Sequence, residues 1–176
     1  MGKVYTKQDL LNKADLKGWL KRNHKALIGS AVFTKADSVV SKIVSWAQTF
    51  KCPTKEFCPS HIGSIIELGD KLYIFHMKPL KSYAIDLYDY LTNTDEYYEL
   101  VKRDFEIDTY MFSKSVGYHI GEWYPYLSAL SSIFSKRQSK FKTHCSELHL
   151  RNLQLQDLYL DINPECTPDE LYHLLT

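Results

Sequence analysis

Two apolar runs and the short turn between them decide the fold of this chain: His61-Ile62-Gly63-Ser64-Ile65-Ile66-Glu67-Leu68, then Gly69-Asp70, then Lys71-Leu72-Tyr73-Ile74-Phe75-His76-Met77. Both runs are rich in β-branched and aromatic residues, and a glycine beside an aspartate is typical of a tight turn. The sequence therefore predicts a β-hairpin in which Gly63 pairs with His76. Because residues two apart on a strand share a face, His61 is predicted to lie diagonally beside His76, with room for both rings next to Gly63.

Capping residues and apolar spacing predict the other elements. Helices are predicted over residues 6–22, 37–50, 122–136 and 143–153, and from Thr167 onward. Strands are predicted over 26–34 and 105–112, a loop over 51–59, and helical or irregular structure over 83–91 and 96–103. The strongest start signal is Thr167-Pro168-Asp169-Glu170, which combines a capping box with proline at the first helical position.

Composition restricts the classes of function. A chain of 176 residues is expected to be one domain and can bury a core without disulfides or metal. Its formal net charge of +1 gives no electrostatic basis for a nucleic-acid partner. Aromatic residues make up 14% of the chain, with 13 tyrosines. They are compatible with a tyrosine-lined groove, although we favour a place at the edges of the core.

The apolar segments are too short to cross a membrane. No run approaches the ~20 apolar residues that a membrane-spanning helix needs. Residues 1–21 carry charges throughout and lack the apolar stretch of a secretory signal. A cytoplasmic protein is therefore expected, and export would need another route.

Four cysteines are too few in a chain of this length to indicate a disulfide scaffold. Cys52, Cys58 and His61 have a Cys-x5-Cys-x2-His spacing that raises the question of a zinc site. Structural zinc sites prefer closer pairs and a clear second pair, and no CxxC occurs here. We therefore expect no metal ion.

Cys145 is the candidate nucleophile. It follows His144 and opens a stretch of helical apolar spacing, which would place it in the first turn of a helix. The positive end of a helix favours a thiolate, and its free N–H groups can bind a developing oxyanion. His61 would then serve as the base and His76 would orient it. The alternatives are that Cys145 is a buried structural cysteine and that His76 is an ordinary polar residue on a strand edge.

Several short motifs, in order, resemble the circularly permuted papain-like hydrolases of the NlpC type, particularly the YiiX-like group. They are Ile28-Gly29-Ser30-Ala31-Val32-Phe33, Ser60-His61-Ile62-Gly63, Tyr73-Ile74-Phe75-His76, and His144-Cys145-Ser146-Glu147-Leu148. The resemblance covers roughly residues 26–172. There are two departures: Ser30 replaces the usual acidic residue after the glycine, and His76 stands where the YiiX-like group often has glutamate.

The resemblance implies an α+β fold of the papain-like, permuted NlpC type, with a small antiparallel sheet packed against helices. It divides the chain into an N-terminal helical extension, residues 1–25, and a hydrolase domain, residues 26–176. It implies a Cys145-His61-His76 triad that forms a thioester with an amide substrate, expected to be a peptide or a cell-wall-type amide, without a cofactor. Lipid-directed acyl hydrolysis or transfer on the same triad, and an inactive binding module with this fold, are the alternatives.

Overall fold

The computed structural model of this protein describes residues 2–35, 57–78, 81–122 and 145–176. The strands in these ranges are β1 (Lys3–Thr6), β2 (Ala31–Lys35), β3 (His61–Leu68), β4 (Lys71–Lys78), β5 (Lys81–Asp86) and β6 (Tyr97–Lys102). The helices are α1 (Lys7–Leu11), α2 (Leu16–Arg22), α3 (His24–Leu27), α4 (Leu87–Asn93), α5 (Thr109–Gly117), α6 (Cys145–Gln154) and α7 (Pro168–Leu175). The fold is therefore α+β, as expected.

All six strands belong to one antiparallel sheet in the order β1-β6-β2-β3-β4-β5. The predicted hairpin is confirmed, because Gly63 pairs with His76 and Leu68 with Lys71. Gly69, in the turn, has a φ of 68°, which glycine adopts without steric cost. The register of the hairpin follows from this turn, since a slip of one residue would move every side chain to the other face.

The two faces of the sheet carry different helices, because successive side chains of a strand point in opposite directions. On one face, the ring of His76 contacts Tyr90 of α4. On the other face, Ser64 contacts His149 of α6. Helix α6 and the His76 ring therefore lie on opposite faces.

The helix predicted over residues 6–22 is divided in two. Its start is as expected: Thr6 caps α1, and Asp9 completes the capping box. The chain then leaves the helix at Asn12, and Asp15 caps the separate helix α2 through the N–H of Gly18. The second cap explains the break, since an N-cap residue has non-helical backbone angles.

Residues 2–25 contribute a strand as well as helices. Strand β1 pairs with β6 at the edge of the sheet, which the sequence analysis did not predict. Leu10 of α1 is fully buried in the same hydrophobic core as the sheet. The segment predicted as a helical extension is thus packed into the core that the sheet forms.

Two predicted strands are wrong in part or in full. The strand predicted over 26–34 begins only at Ala31, because α3 occupies His24–Leu27 and Gly29 has a φ of 79°. The strand predicted over 105–112 is instead a loop leading into α5. Asp108 caps that helix by accepting a hydrogen bond from the N–H of Met111.

The tyrosine-rich segments also differ from prediction. Most of the segment 96–103 forms the internal strand β6 (Tyr97–Lys102), and residues 83–91 are divided between β5 and α4. Strand β6 lies between β1 and β2, so pairing on both sides overrides its weak local preference. Asp86 ends β5 and caps α4 through the N–H of Asp89.

The two helices at the C-terminal end agree with prediction. Helix α6 spans Cys145–Gln154, and Thr167 and Glu170 form the expected capping box at the start of α7. The predicted helix over 37–50 lies outside the described residues, as do the one over 122–136, apart from its first residue, and most of the predicted loop over 51–59.

Candidate active site

The structure brings His61 and His76 together as the hairpin register predicts. Nε2 of His61 lies 3.0 Å from Nδ1 of His76, and the rings stack with centroids 5.2 Å apart at 15°. Gly63 makes this approach possible: a Cβ there would lie 3.1 Å from Cε1 of His76 and 2.6 Å from the side chain of Ile74. One nitrogen of the pair must donate a proton to the other, so the contact fixes a tautomer.

Tyrosine rings enclose His76. Its ring is fully buried and lies 4.8 Å from the ring of Tyr90 and 6.0 Å from that of Tyr83. Tyr90 was not predicted to lie at the site, although Asp86, just before α4, is a recognisable capping residue. These contacts fix the ring plane of His76, and through it the orientation of His61.

Cys145 is the first residue of α6 and is 8% exposed. Burial has the largest effect on its thiol and raises its pKa above the ordinary value. The nearby backbone N–H groups of Ile62, Ser146 and Cys145 itself lower the pKa by a smaller amount. The pKa is therefore raised, whereas the start of a helix predicts that it is lowered. With a raised pKa, the thiol is neutral at pH 7 in the resting protein.

The sulfur lies near the start of β3, on the face of the sheet opposite the histidine rings. The N–H of Ile62, which contacts the sulfur, belongs to the residue after His61 in β3. Helix α6 packs on the face opposite the imidazoles, and His61 is the first residue of its strand. The thiol and the imidazole thus approach the same end of β3 from its two faces.

The other described cysteines lie in different surroundings. Burial raises the pKa of the Cys166 thiol to about 12, and its backbone carbonyl accepts a 2.5 Å hydrogen bond from Ser146. Cys58 is buried, and no disulfide joins the described cysteines. Cys52 lies outside the described residues. Within the described ranges, no group of three or more His, Cys, Asp or Glu side chains is placed to hold a metal ion.

Ser30, which departs from the resembled motif, has a structural position. Its buried hydroxyl donates to the carbonyl of Ala26 at 3.2 Å and accepts from the N–H of Arg103 at 3.1 Å. The guanidinium of Arg103 binds the carbonyls of Ile28 and Lys25. These bonds tie the end of β6 to the segment entering β2, and nothing in them involves the histidine pair.

A third histidine, which the sequence analysis did not single out, lies under α6. His149 is fully buried, its Nδ1 is 2.8 Å from Oγ of Ser64, and Phe112 packs edge-on against its ring. Its Nε2 has no hydrogen-bond partner among the described residues. Burial lowers the pKa of His149 to about 4, so the ring is neutral at pH 7.

This burial predicts a loss of stability in acid. Between pH 6.5 and 4 the unfolded chain binds a proton at His149 that the folded chain does not, so the free energy of unfolding rises with pH there. The stabilisation is complete above pH 6.5, and about 3 kcal/mol is lost by pH 4. Urea unfolding at several pH values measures this change in the free energy of unfolding. His149→Gln should flatten this slope, whereas the control His119→Gln, at a partly exposed histidine, should not; an unchanged slope in His149→Gln would contradict the assignment.

Comparisons of the chain with known protein families, with curated proteins and with solved structures found no match. No helix in the described part of the chain is long and apolar enough to cross a membrane. The function is therefore inferred from the geometry around His61, His76 and Cys145.

Proposed function

We propose that this protein is a cysteine hydrolase that cleaves an amide through a thioester on Cys145. One observation carries the proposal: His61 is hydrogen-bonded to His76 and is followed directly by the residue whose N–H contacts the Cys145 sulfur. A nucleophile, a base and a third group that orients the base are the elements of a catalytic triad. The motif order that resembles the permuted NlpC-type hydrolases supports the same assignment.

The raised thiol pKa favours general-base activation over a preformed ion pair. Nε2 of His61 is engaged by His76, so Nδ1 accepts the thiol proton as the sulfur attacks the substrate carbonyl. The N–H groups at the start of α6 stabilise the oxyanion. The imidazolium then protonates the leaving amine. His61 next deprotonates a water molecule, which attacks the thioester and releases the acid product. The His61 imidazolium then gives its proton to the departing Cys145 thiolate.

The substrate we propose is a peptide amide. The testing experiment incubates the purified protein with three classes of substrate: short peptide amides, p-nitrophenyl acyl esters, and phospholipid vesicles. Release of amine or acid from the amides and esters is expected. Turnover of phospholipid but of neither other substrate class would favour the lipid-directed acyl hydrolase or transferase instead. No turnover of any class by the folded protein would favour an inactive binding module.

His76 is proposed as a positioning residue, and this gives a prediction. His76→Ala removes the partner that fixes the His61 tautomer, so kcat should fall by about a hundredfold or more with little change in KM. His76→Gln should recover part of kcat, because its amide oxygen can accept a hydrogen bond from His61. Urea unfolding of each variant shows whether the cavity left by the smaller side chain destabilises the protein. If His76→Gln is fully folded and its kcat is as low as that of His76→Ala, the positioning role is contradicted.

A further inference from the structure

Large apolar side chains are exposed on two segments at the end of α6 that lies away from Cys145. Tyr110 and Met111 of α5 are 67% and 54% exposed. Leu155 and Leu160, in the turn that follows α6, are 74% and 65% exposed. We call these four side chains the apolar patch. Single exposed apolar residues are common on protein surfaces, but several of them close together mark an interaction site.

Direct contacts join the two segments into one surface. The N–H of Asp108, which caps α5, donates a 2.5 Å hydrogen bond to Oε1 of Gln156. Phe105, in the loop before α5, packs edge-on against Tyr159, with ring centroids 5.8 Å apart. Each contacting residue of the turn is the immediate neighbour of an exposed leucine. The loop before α5 and the turn after α6 therefore carry the patch together.

The turn after α6 is held in one conformation. Asp157 and Tyr159 have φ angles of 61° and 55°, which residues other than glycine rarely adopt. Nε2 of Gln154 donates to the carbonyls of Tyr159 and Ile162, at 3.0 and 2.7 Å. Unfavourable backbone angles that neighbouring bonds maintain are found mainly where the shape of a segment serves a function. A turn that is ordered before binding also lowers the entropy cost of binding.

Acidic side chains surround the patch. Residues 104–110 and 155–161 contain five acidic residues and no lysine or arginine. All five are exposed: Asp104, Glu106, Asp108, Asp157 and Asp161. The flanking basic residues are Arg103, Arg151 and Lys114. The first binds backbone carbonyls, the second pairs with Glu147, and the third lies over the Tyr110 ring. This excess of negative charge favours a basic partner over nucleic acid or an anionic lipid surface.

The patch is separate from the candidate active site. Cys145 is the first residue of α6, and the patch begins at the residue after its last, Gln154. A helix of this length separates its two ends by about 14 Å. A role for the patch therefore does not depend on the proposed function.

We propose that the apolar patch is a docking surface for a basic amphipathic helix of a partner protein. The patch lies on a helix and a turn, where no sheet edge offers backbone pairing to an extended peptide, so side chains supply the contact. Apolar residues at helical spacing on the partner cover the patch, and its lysines and arginines face the acidic rim. Tyrosine and methionine are typical of such interfaces.

The first experiment maps binding on the wild-type protein by NMR. The probe is a synthetic peptide of leucine and lysine, about four helical turns long, with leucine at helical spacing. Shift changes should centre on residues 104–111 and 155–161. A scrambled peptide of the same composition should bind about tenfold more weakly, because its apolar residues share no face. Equal binding of the scrambled peptide, or shift changes centred elsewhere, would overturn the proposal whether or not any variant folds.

The second experiment compares variants. Met111→Gln/Leu155→Gln should weaken peptide binding about tenfold. Asp157→Asn should weaken it by a smaller factor and reduce its salt dependence, and asparagine tolerates the positive φ at this position. The matched controls are Leu11→Gln, an exposed leucine of α1, and Asp70→Asn in the hairpin turn. Both should bind as the wild type does. Equal affinities of folded patch variants and controls would contradict the assignment.

Sedimentation of the protein alone tests a second copy of this chain as the occupant. A monomer is expected, with the patch free for the peptide. Self-association that Met111→Gln/Leu155→Gln abolishes, without peptide binding to the patch, would overturn the proposal in favour of contact between copies.

Discussion

Cys145→Ala should reduce hydrolysis of amides and esters to the uncatalysed rate, a loss on the order of 10⁶-fold if chemistry limits turnover. The reason is that the neighbouring thiol, Cys166, is poorly suited to take over covalent catalysis. Cys166 has a pKa raised to about 12, and its thiolate is therefore scarce at neutral pH. The measurement is release of p-nitrophenol from an acyl ester and of amine from a peptide amide.

Cys166→Ala is the matched control for this variant. The side chain of Cys166 lies near Cys145, yet the described hydrogen bond to this residue uses its backbone carbonyl. Cys166→Ala should keep activity within about twofold, since it removes a half-buried thiol and leaves the hydrogen bond from Ser146 to the backbone carbonyl in place. Full activity in Cys145→Ala, or its loss in Cys166→Ala alone, would assign the nucleophile elsewhere.

His61→Ala should lower kcat by about 10³-fold, within the range of a lost general base. Because burial raises the thiol pKa, the residual rate should keep rising steeply with pH from pH 7 to 9, as the thiolate fraction grows. The wild-type rate should vary much less over this range, since His61 removes the proton during attack.

The control for His61 is His24→Ala. His24 bonds to Glu67 at 2.7 Å at the other end of β3, so its loss should leave kcat within about twofold. A pH–rate profile for His61→Ala that superimposes on that of the wild type would exclude His61 as the base.

The hairpin could be predicted from sequence because its determinants are local. The turn at Gly69 fixes the register, and the alternation of side chains then places His61 beside His76. The two capping boxes, at Thr6 and Thr167, were also readable for this reason, since each involves residues three positions apart.

Features that depend on distant pairing could not be predicted from sequence. Strand β6 owes its conformation to β1 and β2, which lie far from it in the chain. The contact of Cys145 with the Ile62 N–H joins residues more than eighty positions apart, and the burial that raises the thiol pKa comes from the packing of α6. The position at a helix start alone predicts a lowered thiol pKa, because the sequence shows the positive end of the helix but not the burial of the sulfur.

The most direct test of the thioester proposal is to trap the acyl-enzyme. The protein is mixed with excess p-nitrophenyl acetate, quenched in acid within milliseconds to seconds, digested, and mapped by mass spectrometry. An acetyl group should appear on the peptide containing Cys145 and be released by hydroxylamine, as expected of a thioester. It should be absent in Cys145→Ala and form far more slowly in His61→Ala. Acetylation of another residue while hydrolysis proceeds, with Cys145 unmodified throughout, would contradict the proposal.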